Sequence, residues 1–221
     1  MRVFVADLNL AAAEKTVLAA QGFSGQAEAC GVDVLISAPQ KGWSGSPCSG
    51  LVLLGPLARQ RIESTASTSY ACDLLKWLQI IEAYENGGHA YHATMPSDAL
   101  ARFRDVVLET RDYGFETVRA QQLELGQRVR ALLAQKGFKS VAAEGFEAPG
   151  VVVCYTDDAG IKNGSKFAAQ GLQIAAGVPL QCDEPADFQT FRMGLFGLEK
   201  LRNIDRTLDI LQRALDQIVS S

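Results

Sequence analysis

The segment Val34-Leu35-Ile36-Ser37-Ala38-Pro39-Gln40-Lys41-Gly42-Trp43-Ser44-Gly45 places one lysine just after an apolar run and beside glycines. A lysine amine attacks an aldehyde once its surroundings disfavour the charged form, so Lys41 is a candidate for Schiff-base chemistry. The neighbouring glycines leave space for a flat ring. The segment is not a nucleotide-binding loop, because the lysine precedes the glycines and the pattern G-x-x-x-x-G-K-[ST] is absent. The plain alternative is a solvated surface lysine, the commonest fate of that residue type. Trp43 either walls such a pocket or packs under the loop. A second candidate is Arg192, set between Phe191 and Met193. A charge on an apolar strand needs a partner, and a planar guanidinium grips a carboxylate through two parallel hydrogen bonds. His89 and His92 have the spacing H-x-x-H, but no third ligand lies near them in sequence, so no metal site is expected.

Behind these residues stand elements of two periods. Short apolar runs at Val3 to Ala6, Val32 to Ser37, Gly50 to Leu54, Val151 to Tyr155 and Thr190 to Met193 read as strands. The continuous run 32–37 predicts burial on both faces. Helical patterns cover Asn9 to Gln21, Cys72 to Tyr84, a long stretch N-capped by Ser97, Phe115 to Gly137, Asp158 to Leu172, and a closing stripe of Leu201, Ile204, Leu208, Leu211, Leu215 and Ile218. Pro56 suits the first position of a further helix. A strand–helix–strand–helix ending after two long helices predicts a small α+β domain following a larger α/β one. The expected division is 1–112 and 113–221, the second part including the long connecting helix.

The chain has 221 residues, 48% hydrophobic and 21% charged, with a formal net charge of −4. That composition excludes a disordered segment and gives enough interior for a sizeable core. Mild acidity argues against a nucleic-acid or anionic-membrane partner, and no apolar stretch is long enough to span a bilayer. No secretory signal is apparent, and a cytoplasmic location is expected. Cys30, Cys48, Cys72, Cys154 and Cys182 are odd in number, widely spaced and without a C-x-x-C pair. They read as free thiols rather than as a disulfide framework or zinc ribbon.

Three motifs together resemble a known family. Ser37-Ala38-Pro39-Gln40-Lys41-Gly42-Trp43 followed by Gly50-Leu51-Val52-Leu53-Leu54 resembles the lysine region of class V pyridoxal-phosphate aminotransferases. More closely it resembles the alanine–glyoxylate / serine–pyruvate aminotransferases. Gly88-His89-Ala90-Tyr91-His92-Ala93-Thr94-Met95-Pro96 and Phe191-Arg192-Met193-Gly194-Leu195-Phe196-Gly197 continue the likeness in the family's order. The resemblance implies an α/β fold, part of a fold-type I pyridoxal-phosphate-dependent transferase large domain plus a C-terminal small α+β domain. It implies pyridoxal 5'-phosphate as cofactor, with small amino acids and 2-oxo acids as substrates. Lys41 would form the Schiff base and shuttle the proton, and Gln40 would help hold the phosphate. Tyr91 and Thr94 would reach the phosphate across the interface of a homodimer with shared active sites. Arg192 would bind the substrate carboxylate. The cysteine desulfurases of the same fold fit less well, since they carry a histidine where Gln40 stands.

Members of that family carry a long segment before the lysine. Val3-Phe4-Val5-Ala6-Asp7 resembles its strand that ends in an aspartate paired with the pyridine nitrogen, which implicates Asp7. The family's phosphate-binding turn has no counterpart, and 8–29 do not match what should follow. The sequence thus resembles the C-terminal portion of such an enzyme, with its first part missing or altered. The expected activity is transamination between alanine or serine and glyoxylate or pyruvate. The alternative expectation is a truncated, inactive fragment that acts at most as a folding or dimerisation unit.

Overall fold

The computed structural model describes residues 2–3, 31–181 and 183–220. Asp7, Cys30, Cys182, the helix expected over 9–21 and most of the strand expected over 3–6 lie outside the described residues. The chain divides into two compact units, Met1–Phe115 and Glu116–Ser221.

The first unit holds a three-stranded antiparallel sheet of β1 (Arg2–Val3), β2 (Val34–Ser37) and β3 (Leu51–Leu54), with β3 in the middle. Leu51, Leu53 and Leu54 are buried, as a central strand requires. Register runs from Val34 opposite Leu54 to Ser37 opposite Leu51, and Gly55 N–H donates to the Asp33 carbonyl at 2.7 Å. The apolar run 32–37 is not buried on both faces as its composition predicts. Val34 and Ile36 are exposed, Ile36 by 72%, because among the described residues β2 pairs with β3 alone and is covered on one side. Composition does not separate such a strand from a doubly covered one.

Pro56 opens α1 (Pro56–Glu63), where its missing N–H costs nothing. Asp73 caps α2 (Leu74–Glu85), its carboxylate accepting from Lys76 N–H at 3.1 Å. The next helix, α3 (Ser97–Tyr113), is capped by Pro96, and Ser97 is its first helical residue with no side-chain cap bond. The rigid proline therefore sets the entry that Ser97 was expected to provide. Leu100, Phe103, Val107 and Thr110 form its buried stripe, and Phe103 and Val107 pack on Leu51.

α4 (Phe115–Gln135) leads into the second unit and buries Leu125, Gly126, Val129, Leu132 and Leu133. There β6 (Thr190–Gly194) is the central strand of an antiparallel sheet, flanked by β4 (Val151–Tyr155) and the two-residue β5 (Ala175–Ala176). Where a single helix is expected over 158–172, two short ones form, α5 (Ala159–Lys162) and α6 (Ser165–Ala169). Gly164 between them has φ 81°, a left-handed conformation that ends the first helix. α7 (Leu198–Leu201) and α8 (Ile204–Val219) complete the unit. Leu208, Leu211, Leu215 and Ile218 of α8 join Leu125, Val129, Val152, Phe167 and Phe191 in one core. Among the described residues, no helix is long and apolar enough to cross a membrane.

Cys154 sits in this core at 2% exposure. Burial pushes its thiol up to about 11, against a smaller opposing pull from the Arg130 charge. The thiolate is the reactive form, so Cys154 is expected to resist thiol reagents at mildly alkaline pH while exposed Cys72 reacts. Native-state labelling followed by peptide mapping checks this order; modification of Cys154 ahead of Cys72 contradicts it.

Candidate functional site

Lys41 lies at the apex of a wound turn immediately after β2. Lys41 N–H donates to the Ala38 carbonyl at 3.4 Å, Ser44 N–H to the Lys41 carbonyl at 3.0 Å, and Gly45 N–H to the Pro39 carbonyl at 2.8 Å. Pro39 is fully buried beneath it. Trp43 resolves the choice left open by the sequence: it packs under the loop. Its indole N–H donates to Ser37 Oγ at 3.2 Å, and its ring meets Phe103 and Phe115 edge-on with centroids 6.1 and 6.3 Å away. The glycines are therefore not simply flexible. A Cβ on Gly45 would come within 3.0 Å of Phe103 Cδ2 and 3.3 Å of the Pro39 carbonyl, so a side chain there would press on its neighbours. A Cβ on Gly42 would meet nothing.

The turn thus holds the backbone and leaves the side chains of Gln40 and Lys41 in solvent. Among the described residues, the Lys41 ammonium makes no hydrogen bond or ion pair. No acidic residue occurs from 34 to 58, so Lys41 carries the only formal charge of that stretch.

The loop 86–96 between α2 and α3 carries the second group. Tyr91 OH and Thr94 Oγ1 are hydrogen-bonded at 2.9 Å, and Tyr91 is 79% exposed. The loop contains no acidic residue either. His92, between them in sequence, is enclosed by Tyr70 and Trp77, which no motif singled out. Its ring lies 4.3 Å from that of Tyr70 and 5.2 Å from that of Trp77. Nε2 of His92 is 2.9 Å from the Tyr70 carbonyl, which can only accept, so this nitrogen carries a hydrogen and does not face a metal. Among the described residues, no three His, Cys, Asp or Glu side chains cluster as metal ligands.

Arg192 belongs to the second unit. It faces away from buried Phe191 and Met193 on β6, half-buried, opposite Val153 of β4 and Ala175 of β5. Its Nε–H donates to the Ala176 carbonyl at 3.0 Å. Among the described residues no carboxylate pairs with it, which leaves the two terminal nitrogens as a fork for one. The structure joins Tyr91 with Thr94 and sets Gln40 beside Lys41. Asp7 lies outside the described residues.

This donor set fits the cofactor that the sequence motifs imply. It offers an amine for an aldehyde, and an amide and two hydroxyls for a phosphate, in loops free of competing carboxylates.

No family model matches the sequence, and no curated protein matches it. Solved structures do match. The alanine–glyoxylate aminotransferase of Nostoc sp. superposes with a TM-score of 0.70 at 17% identity, over 87% of this chain and 49% of that one. An aspartate aminotransferase of subgroup IV from Thermus thermophilus gives 0.64 at 22% identity, over 86% and 51%. The ureidoglycine–glyoxylate aminotransferase of Bacillus subtilis gives 0.64 at 19% identity, over 85% and 47%. The chain spans about half the length of the aminotransferases it matches. Over that length it shares the fold of these aminotransferases.

Proposed function

We propose that this chain, proceeding from that shared fold, serves pyridoxal-phosphate-dependent transamination between a small amino acid, alanine or serine, and a 2-oxo acid, glyoxylate or pyruvate. The observation that carries the reading is Lys41: an amine without a partner among the described residues, held out by a hydrogen-bonded turn at the end of β2. Pyridoxal phosphate, when bound, supplies an electron sink for the pair left when the substrate Cα–H bond breaks.

The protein's residues divide the remaining work. Lys41 would hold the cofactor through its Nζ, and its free amine would take the proton from the substrate Cα. Gln40 donates its amide to the cofactor phosphate. Tyr91 and Thr94 add two hydroxyls, contributed by the neighbouring subunit of a homodimer. Asp7, by the sequence resemblance, would pair with the pyridine nitrogen. Arg192 grips the substrate carboxylate with its two terminal nitrogens, which fixes the direction of the Cα–H bond. The Ala176 carbonyl holds the Arg192 Nε, so the fork is oriented before substrate arrives.

The test is an absorbance titration of the purified chain with pyridoxal phosphate, followed by addition of alanine. A cofactor band that shifts on binding and shifts again with alanine supports the reading; a spectrum equal to that of free cofactor overturns it. Arg192→Lys is expected to weaken amino-acid binding by about ten- to a hundredfold, since an ammonium does not reproduce the fork. Cofactor affinity should stay unchanged. Equal substrate affinity in the variant refutes the carboxylate role.

A further inference from the structure

We propose that Tyr70 and His92 form a reciprocal clamp that positions the Tyr91–Thr94 hydroxyl pair, which makes His92 a positioning residue for the cofactor phosphate. The inference rests on the reading of Tyr91 and Thr94 as phosphate ligands.

The loop 86–96 has no regular secondary structure. Its first residues are tied to α2, by Asn86 N–H to the Glu82 carbonyl and Gly88 N–H to the Ala83 carbonyl. Beyond that, among the described residues, the amides of 89–95 donate no backbone hydrogen bond. The middle of the loop is held by side chains. Tyr70 OH donates to the His92 carbonyl, and His92 Nε2–H donates to the Tyr70 carbonyl at 2.9 Å. The two rings stack at 4.3 Å with a tilt of 35°. Each residue thus satisfies the other's main chain, and the stacked rings leave that exchange little freedom to shear.

The clamp has a firm base. Trp77 presents its edge to the His92 ring at 5.2 Å and 80°, and its indole N–H donates to the Ala71 carbonyl at 2.8 Å. Trp77 stands in the first turn of α2, whose N-terminus Asp73 caps. His92 is flanked by Tyr91 one residue before and Thr94 two residues after, so fixing its carbonyl fixes the backbone from which both hydroxyls project.

Three variants of the full chain test this. His92→Phe keeps a ring and loses the donor. Tyr70→Phe keeps the stack and loses the hydroxyl. His92→Gln keeps a donor near the Nε2 position. In the cofactor-free protein, His92→Phe and Tyr70→Phe are expected to speed amide exchange at Ala93 and Thr94. Both are expected to lower affinity for pyridoxal phosphate by about tenfold. Affinity for pyridoxal, which lacks the phosphate, should not change, and His92→Gln should recover most of the loss. Unchanged exchange in His92→Phe overturns the clamp, as does an equal loss for pyridoxal and pyridoxal phosphate. A Tyr91→Phe, Thr94→Val double variant separates the two ideas. If it retains the preference for pyridoxal phosphate over pyridoxal, the phosphate reading fails and takes the clamp's role with it. If it loses that preference while His92→Phe retains it, the clamp alone fails.

Discussion

Replacing Lys41 by alanine is expected to remove the residue that borohydride fixes to pyridoxal phosphate and to lower transamination by at least about 10²–10⁴-fold, the range for losing a catalytic proton-transfer group. The fold should not notice. The side chain is exposed and makes no hydrogen bond or ion pair among the described residues, and such surface changes stay within about 0.5 kcal/mol. Peptide mapping of the reduced adduct, with a melting curve for each protein, separates chemistry from folding. A label spread evenly over Lys15, Lys76 and Lys136, and undiminished in Lys41→Ala, would sink the assignment.

The largest expected effect on stability is at the neighbour of the other anchor. Phe191 is 1% exposed and meets Phe138 edge-on at 5.2 Å and Phe167 at 5.8 Å. Phe191→Ala removes both ring contacts and leaves a cavity in a core shared by β4, β6, α4 and α8. The cost is about 3–5 kcal/mol, a large part of what holds a typical domain folded. Urea denaturation followed by circular dichroism should show a lower midpoint, with Phe191→Leu intermediate. A midpoint unchanged within error would mean that this core is far looser than its packing indicates.

Legibility in the sequence followed the range of the interactions involved. The apolar stripe of the closing helix repeats over several turns, and the structure buries its Ile204, Leu208, Leu211, Leu215 and Ile218 in α8. Gly164 sits inside an otherwise helical pattern, where a single glycine is tolerated often enough to hide a break. β5 is two alanines, which carry no strand signal; the pairing with β6 creates the element. At the site, the turn around Lys41 and the isolated charge of Arg192 stand out as local patterns. The carbonyl that holds Arg192 comes from β5 and could not be read with it. The enclosure of His92 was hidden for the same reason. Tyr70 precedes it by 22 residues, and the stack exists only once two irregular loops meet.

The alternation along β6 also limits how this protein can change in length. Thr190, Phe191 and Met193 are buried and Arg192 is directed away from Phe191 and Met193, in a strand held in register on both sides. Adding one residue between Thr190 and Phe191 turns the following side chains to the opposite face, so the guanidinium is directed into the core and an aromatic ring out of it. Such a change is opposed by folding itself, whatever selection acts on activity. The connection 177–189 between β5 and β6 has no such parity and can lengthen or shorten one residue at a time. Lineages carrying this fold can therefore remodel what surrounds the anchor by gaining and losing loop residues, while the anchor keeps its place.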